Sequence, residues 1–204
     1  RRKPPGQLLK GAHAVEREFQ VLQALHGSEV PVAQPLALCE DEGVIGAAFY
    51  LMAHVSGRVL RDARLPELGV AQRAALHEDA VRGLAALHRV DWRAWGLAGF
   101  GRAGGYFGRL VARGGRQYRE AVAAGQRPIA AMQRLAEALP RRVPAAAASF
   151  PAVLTHGDFR FENLIVDSEA PRVRAVLDWE LSTLGHPLGD LAYHAMAWHL
   201  PAEI

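Results

Sequence analysis

Asp158, Asn163 and Asp178 are the residues of this chain whose types and spacing best fit chemistry. The first two stand five apart in "HGDFRFEN", and the third follows fifteen residues later in "VLDWE". A carboxylate beside an acceptor hydroxyl can orient it and take its proton. An amide oxygen and a second carboxylate offer hard oxygen ligands to a divalent cation. Phosphoryl transfer needs this set of parts, a base at the attacking oxygen and ligands that hold a metal against phosphates. A lone Asp-x-x-x-x-Asn is a weak signal, and a polar hairpin turn between buried strands is the bland alternative. Asp178, at the end of an apolar run, favours the chemical reading.

Such groups need rigid supports. "AVLT" (152–155), "NLIV" (163–166) and "VRAVLDW" (173–179) read as short strands around the polar turn. Upstream, "AHAVEREFQVLQALHG" (12–27) spaces Val15, Phe19, Leu22 and Leu25 as a helix and ends on Gly27. "PLALCE" and "VIGAAFYLMAHV" (44–55) flank the turn residues 41–43 as a hairpin. Residues 70–90 and 127–140 carry helical periodicity, whereas 96–108 is glycine-rich enough to read as a loop and 141–151 as a linker. A last helix is predicted over roughly 187–199, with its Tyr193–Trp198 stripe in the core. The fold class is α+β.

The 204 residues, half of them hydrophobic, suffice for one domain or two small lobes. A net charge of +3 does not announce a nucleic-acid polymer as partner. The distribution is more telling: residues 58–142 hold 16 arginines against 7 acids, while 143–204 hold 3 basic and 8 acidic side chains. The single cysteine, Cys39, excludes an internal disulfide framework and fits a reducing, cytoplasmic compartment. The longest apolar run, 44–55, is shorter than the about 20 residues a bilayer span requires, so no membrane partner is expected. No Gly-Lys dipeptide occurs, which removes the P-loop reading. The opening "RRKPPG" and closing "PAEI" read as cuts through a longer protein.

The Asp158–Asn163 spacing matches the kinase catalytic loop, His-Arg-Asp-x-x-x-x-Asn, with Gly157 at the arginine position and Asp178 where the Asp-Phe-Gly aspartate would stand. "HGDFRFEN", "VLDWELSTLGHPLGDLAY" and "RRKPPGQLLKGAHAVEREF" resemble the aminoglycoside phosphotransferase-like, or kinase-like, superfamily. They look closest to its branch that includes kinase-like domains fused to some acyl-CoA dehydrogenases. The resemblance implies a bilobal protein-kinase-like fold. Its N-lobe would be residues 1–54, with the strands of the glycine-rich loop preceding Arg1, and its helical C-lobe 55–204. Within the C-lobe, 155–163 would be the catalytic loop and 178–180 the metal-binding segment.

By the same resemblance ATP and Mg²⁺ are implied, with Asp158 as catalytic base and Asn163 and Asp178 as Mg²⁺ ligands. Glu18 would pair with a basic residue in "RRK", Arg1 or, as the next choice, Arg2. Arginine in place of the usual lysine is a departure, since its planar fork differs from a point charge. Ala53 and Val55 would lie in the adenine-reading hinge "LMAHVSG". His156 would brace the loop through a backbone hydrogen bond, Asp190 would be the structural aspartate, and Glu180 a supporting group beside Asp178. Arg160 would contact phosphate or substrate, and His186 replaces an expected aspartate in "LGHP". The basic middle third argues for an anionic small-molecule acceptor such as a carboxylate, a phosphorylated metabolite or a coenzyme A thioester. An aminoglycoside acceptor is the alternative, and a non-catalytic nucleotide-binding pseudokinase is another. The oligomeric state stays open.

Overall fold

In the computed structural model, which describes residues 1–4 and 14–200, helix α1 (Val15–Leu25) buries Val15, Phe19, Leu22 and Leu25 on the face set by their spacing. Glu16 and Glu18 occupy its first turn, where carboxylates meet the positive end of the helix dipole. Gly27 ends it at φ +87°, a backbone conformation open to glycine without steric cost. The expected start of this helix at 12–13 lies outside the described residues.

Strands β1 (Pro35–Cys39) and β2 (Phe49–Met52) pair antiparallel and pack on α1. The second strand begins later than the apolar run suggests. Gly43 N–H binds the Asp41 carboxylate and Gly46 N–H the Glu42 carbonyl, so this stretch is a closed turn. Arg1 to Lys3 run along the free edge of β2. Arg1 and Tyr50 exchange backbone hydrogen bonds of 3.1 and 2.9 Å, and Lys3 N–H donates to Ala48 O at 3.0 Å. Alternation along this edge sends the Arg1 and Arg2 side chains to opposite faces.

The remaining chain forms a larger lobe from β3 (Arg58–Val59), α2 (Val70–Arg89), α3 (Tyr106–Ala123), α4 (Ala130–Arg142), the single turn α5 (Ala146–Ser149), β4 (Val153–Thr155), β5 (Leu164–Val166), β6 (Val173–Val176), β7 (Thr183–Gly185) and α6 (Pro187–Ala195). Two small antiparallel sheets, β3-β5-β6 and β4-β7, hold the segment between β4 and β5. Among the described residues no helix is long and apolar enough to cross a membrane.

Three features differ from the sequence expectation. Helix α3 begins at Tyr106, inside the stretch read as a loop, and carries Gly114 and Gly115 with no buried residue. Strand β7 has only three residues, too few for a periodicity signal. Helix α6 buries Asp190 and His194, while Leu188, Leu191 and Trp198 are exposed. The Tyr193–Trp198 stripe is therefore not core: Tyr193, Met196 and Ala197 line a cavity. His186 caps α6 in place of the expected aspartate, its Nδ1 accepting from Leu188 N–H at 3.2 Å.

Candidate active site

Strand β4 delivers the chain into the turn at His156, and β5 takes it away after Asn163. The turn is clamped from below by Asp190 of α6. Its Oδ2 accepts from His156 N–H at 2.9 Å and its Oδ1 from Gly157 N–H at 2.7 Å. His88, near the end of α2, places Nε2 3.0 Å from Asp190 Oδ2. Gly157 sits at φ +85°, and a Cβ there would lie 2.5 Å from Leu181 O. That close approach is why glycine stands where kinases carry arginine.

His156 is fully buried and bridges the turn to the β6 exit. Its Nδ1 accepts from Asp158 N–H at 3.2 Å, which leaves Nε2 to donate to Leu177 O at 2.8 Å. The imidazole is therefore neutral, and burial pulls its pKa below the ordinary value. The expected bracing is seen on both ring nitrogens.

Asn163 Nδ2 donates to both Asp158 O and Asp158 Oδ2, each at 2.8 Å. Its Oδ1 is thereby left as an oxygen donor. Asn163 O accepts from Leu177 N–H at 2.8 Å, tying the turn to the residue before Asp178. Asp178 adopts φ +62°, a left-handed conformation that costs a non-glycine residue about 1–3 kcal/mol. Asn163 and Asp178 line one cavity of about 250 Å³. An amide oxygen and a carboxylate facing one space fit a hard divalent cation such as Mg²⁺.

Arg1 enters the same cavity from the small lobe. Its Nη2 lies 2.9 Å from Asp178 Oδ1, 3.0 Å from Glu180 Oε2 and 3.4 Å from Glu18 Oε1. Glu18 is fully buried, and Tyr50 donates its hydroxyl to Glu18 Oε2 at 3.1 Å. Burial raises the Glu18 pKa, opposed by the Arg1 charge and the Tyr50 hydrogen bond. Glu18, Asp178 and Glu180 bring their oxygens within 4.8 Å of one another, and the Arg1 guanidinium is the cation they share. Arg2 is exposed and faces away.

Leu22, Ala33, Tyr50 and Met52 give this cavity apolar lining on one side, and Val176, Leu177 and Trp179 on the other. In the expected hinge it is Met52, not Ala53 or Val55, that lines the space, and Ala53 N–H already donates to Gln34 O at 2.9 Å. A larger cavity of about 650 Å³ adjoins this space, with Glu162 lining both. Arg61, Arg64 and Arg160 line it together with Phe161, Tyr193 and His194. Arg160 Nε is 3.4 Å from Asp158 Oδ1 and its Nη1 2.7 Å from Glu162 Oε2.

The full chain, residues 1–204, matches the family model described as a phosphotransferase enzyme family, APH. The chain belongs to this family. It is 48% identical over 204 residues to acyl-CoA dehydrogenase family member 11 of Gallus gallus, and 45% over 203 residues to family member 10 of Mus musculus. All of this chain is covered in both cases, but only 26% and 18% of those proteins. The crystal structure of a candidate aminoglycoside phosphotransferase from Ralstonia eutropha is 46% identical, with a TM-score of 0.86, over the whole of this chain and 58% of that one. An aminoglycoside-3'-phosphotransferase of type VIII, 21% identical, shares the fold at a TM-score of 0.68, over 96% of this chain and 68% of that one.

The APH-family fold is thus the bilobal, kinase-like α+β arrangement that the sequence suggests. Sequence reasoning missed three residues of this site. His88 and Tyr50 reach Asp190 and Glu18 only through tertiary contact, and no local spacing marks them. Tyr193 stands three residues after Asp190 on α6, a helical spacing that places both on one face. That spacing was the available signal.

Proposed function

We propose that this APH-family chain transfers the γ-phosphoryl group of ATP, with Mg²⁺, to a hydroxyl of a small anionic molecule. The observation that carries the reading is that Asn163, bonded through Nδ2 to the Asp158 carboxylate, lines one cavity together with Asp178, beside a second cavity with which it shares Glu162. In this reading residues 1–54 and 55–204 are the two lobes, and the 250 Å³ cavity receives the nucleotide. Mg²⁺ held by Asn163 Oδ1 and Asp178 would neutralise phosphate charge. Arg1 supplies a fixed positive charge toward the phosphates, kept in place by buried Glu18. Asp158 accepts the acceptor's hydroxyl proton while the acceptor oxygen bonds to the γ-phosphorus. The bond from that phosphorus to the β–γ bridging oxygen breaks, and ADP leaves with its electron pair.

The acceptor would enter the 650 Å³ cavity. Its two carboxylates are already engaged, Asp62 with Arg64 at 2.7 Å and Glu162 with Arg160 at 2.7 Å. Among the described residues a polycationic aminoglycoside would find no spare acid there, whereas exposed Arg61 can meet an anion. The acyl-CoA in the names of two relatives, of which this chain spans 26% and 18%, supports a CoA ester as that anion, and a hydroxyacyl-CoA is the acceptor we propose. The named aminoglycoside phosphotransferases among the solved structures favour the antibiotic alternative.

The test is ATP turnover of the unaltered chain and of Asp158→Asn against a hydroxyacyl-CoA panel and kanamycin. Phosphorylation of a CoA ester, lost in Asp158→Asn, is expected. Equal rates in the two proteins would remove Asp158 from the mechanism, and tighter binding of kanamycin than of CoA esters would reverse the acceptor's charge. ATP binding without turnover on any acceptor would favour the pseudokinase alternative.

A further inference from the structure

Near its end helix α2 breaks its own apolar stripe. Leu76, Ala80 and Leu84 recur every four residues and are buried, and the next step of that spacing is His88. Its side chain is only 14% exposed, and its Nε2 lies 3.0 Å from Asp190 Oδ2 on α6. Asp190 is buried, and each of its oxygens already accepts a backbone N–H of the turn that carries Asp158. His156 N–H reaches Oδ2 at 2.9 Å, and Gly157 N–H reaches Oδ1 at 2.7 Å. Both oxygens being acceptors, His88 Nε2 supplies the third donor. One buried carboxylate thus joins α2, α6 and the exit of β4.

We propose that His88 is a positioning residue for the turn that carries Asp158, acting through Asp190. Its part in turnover rests on the phosphotransferase reading above. The two backbone N–H groups on Asp190 come from consecutive residues, so alone they leave the carboxylate free to pivot about the line through them. A third donor, mounted on a different helix, removes that freedom. Buried Leu84 and Leu87 hold that end of α2 in the core, so the mount is rigid. The turn follows from the carboxylate. With the N–H groups of 156 and 157 pinned on Asp190, Gly157 is held at φ +85° and the next N–H, that of Asp158, reaches His156 Nδ1 at 3.2 Å. Three consecutive N–H groups are then fixed, the last of them on Asp158 itself. Asn163 also holds Asp158, through Nδ2, but it stands on the same short segment and moves with it. Asn163 thus orders the turn internally, whereas His88 and Asp190 set where the turn sits in the larger lobe.

His88→Leu removes the donor while filling the space, and His88→Gln keeps an N–H donor at a similar reach. The amide ¹H–¹⁵N shifts and hydrogen-exchange rates of His156 and Gly157 read the contact without turnover. In His88→Leu both amides should shift upfield and exchange faster, and in His88→Gln they should stay near their original values. Rates would be measured with two acceptors, water (ATP hydrolysis) and 3-hydroxybutyryl-CoA. In His88→Leu kcat should fall roughly 10- to 100-fold at unchanged KM for ATP, and in His88→Gln it should largely return. Assays well below the Tm of every variant keep the chains folded, so lost stability alone would leave kcat unchanged. If His88→Leu does not fold, His88→Asn, whose amide stops short of Asp190, takes its place. An active chain whose His88→Leu variant keeps full kcat overturns the role in turnover, as does a His88→Gln variant that falls equally far. Amides of His156 and Gly157 that ignore His88→Leu overturn the positioning itself. An unaltered chain inert on both acceptors overturns the phosphotransferase reading, and the amide signals then still decide whether His88 positions the turn.

Discussion

Asn163 holds Asp158 by two atoms at once, its Nδ2 lying 2.8 Å from both the backbone oxygen and Oδ2 of Asp158. One amide therefore fixes the Asp158 carboxylate, the proposed base, and leaves its remaining oxygen beside the cavity shared with Asp178. The two duties fall on the two ends of one amide, Nδ2 serving the first and Oδ1 the second.

Asn163→Ala removes both. Loss of orientation at a reacting group costs about 10²-fold in rate, and loss of a cation ligand adds to it. Turnover should fall by at least that factor, and Mg²⁺-dependent thermal stabilisation by ATP should weaken. Asn163→Asp keeps the cation ligand but sets a second carboxylate against Asp158. It should retain Mg²⁺-dependent stabilisation while losing turnover. If Asn163→Asp turned over normally, the Nδ2 contacts would not matter to the chemistry.

Gly157→Ala should destabilise the protein more than an exposed glycine change. A left-handed backbone costs an L-residue about 1–2 kcal/mol, and the new Cβ would meet the Leu181 carbonyl at 2.5 Å. In a domain of this size that corresponds to a Tm loss of roughly 2–8 °C or more. Gly27→Ala, with nothing within 4 Å of its Cβ, carries the conformational cost alone and is the control. Equal losses in the two variants would show that Leu181 yields easily.

The contrast between these positions explains what the sequence could reveal. Asp158 and Asn163 announce themselves because their partnership is local, within one turn between two strands. Asp178 is readable because Leu164 pairs with Val176, so neighbouring strands end side by side. Glu18 came only through resemblance, and its buried partner Tyr50 lies 32 residues away. In α6 the apolar residues Leu188 and Leu191 are exposed while Asp190 and His194 are buried, so apolar periodicity pointed to the wrong face. Buried polar residues that serve the site break the pattern on which such readings depend. Helix α3 escaped for a related reason: its paired glycines lower helix propensity, and no side chain on it is buried.

Arg1→Ala should cost stability as well as ATP binding. Glu18 is fully buried, and Arg1 is the cation set against it. Breaking a buried pair by removing one partner costs about 3–5 kcal/mol, reduced here because Arg1 itself is about one-third exposed. Double replacement, Arg1→Ala with Glu18→Gln, should recover part of that stability but none of the nucleotide affinity. Chemical denaturation and ATP titration of the unaltered chain and the two variants separate the two effects. Full stability in Arg1→Ala alone would mean that Tyr50 suffices to hold the Glu18 charge.

Stability should fall as pH drops from 6.5 toward 5, before most carboxylates titrate. His194 is packed against the rings of Phe159 and Phe161, and burial, followed by the nearby His77, lowers its pKa from 6.5 to about 4. His77 and His156 are also lowered by burial. In the unfolded chain these imidazoles bind protons from about pH 6.5 downward, while the folded chain refuses them. The unfolded state then binds more protons, so the free energy of unfolding decreases with falling pH. The His194 contribution is complete above pH 6.5 and is lost by the time pH passes through about 4. Urea unfolding at pH 7.5, 6.5, 5.5 and 5.0 measures the slope. His194→Gln cannot be protonated, so it should be less stable at pH 7.5 but flatter between 6.5 and 5.0. An unaltered slope in that variant would assign the acid sensitivity to groups other than His194.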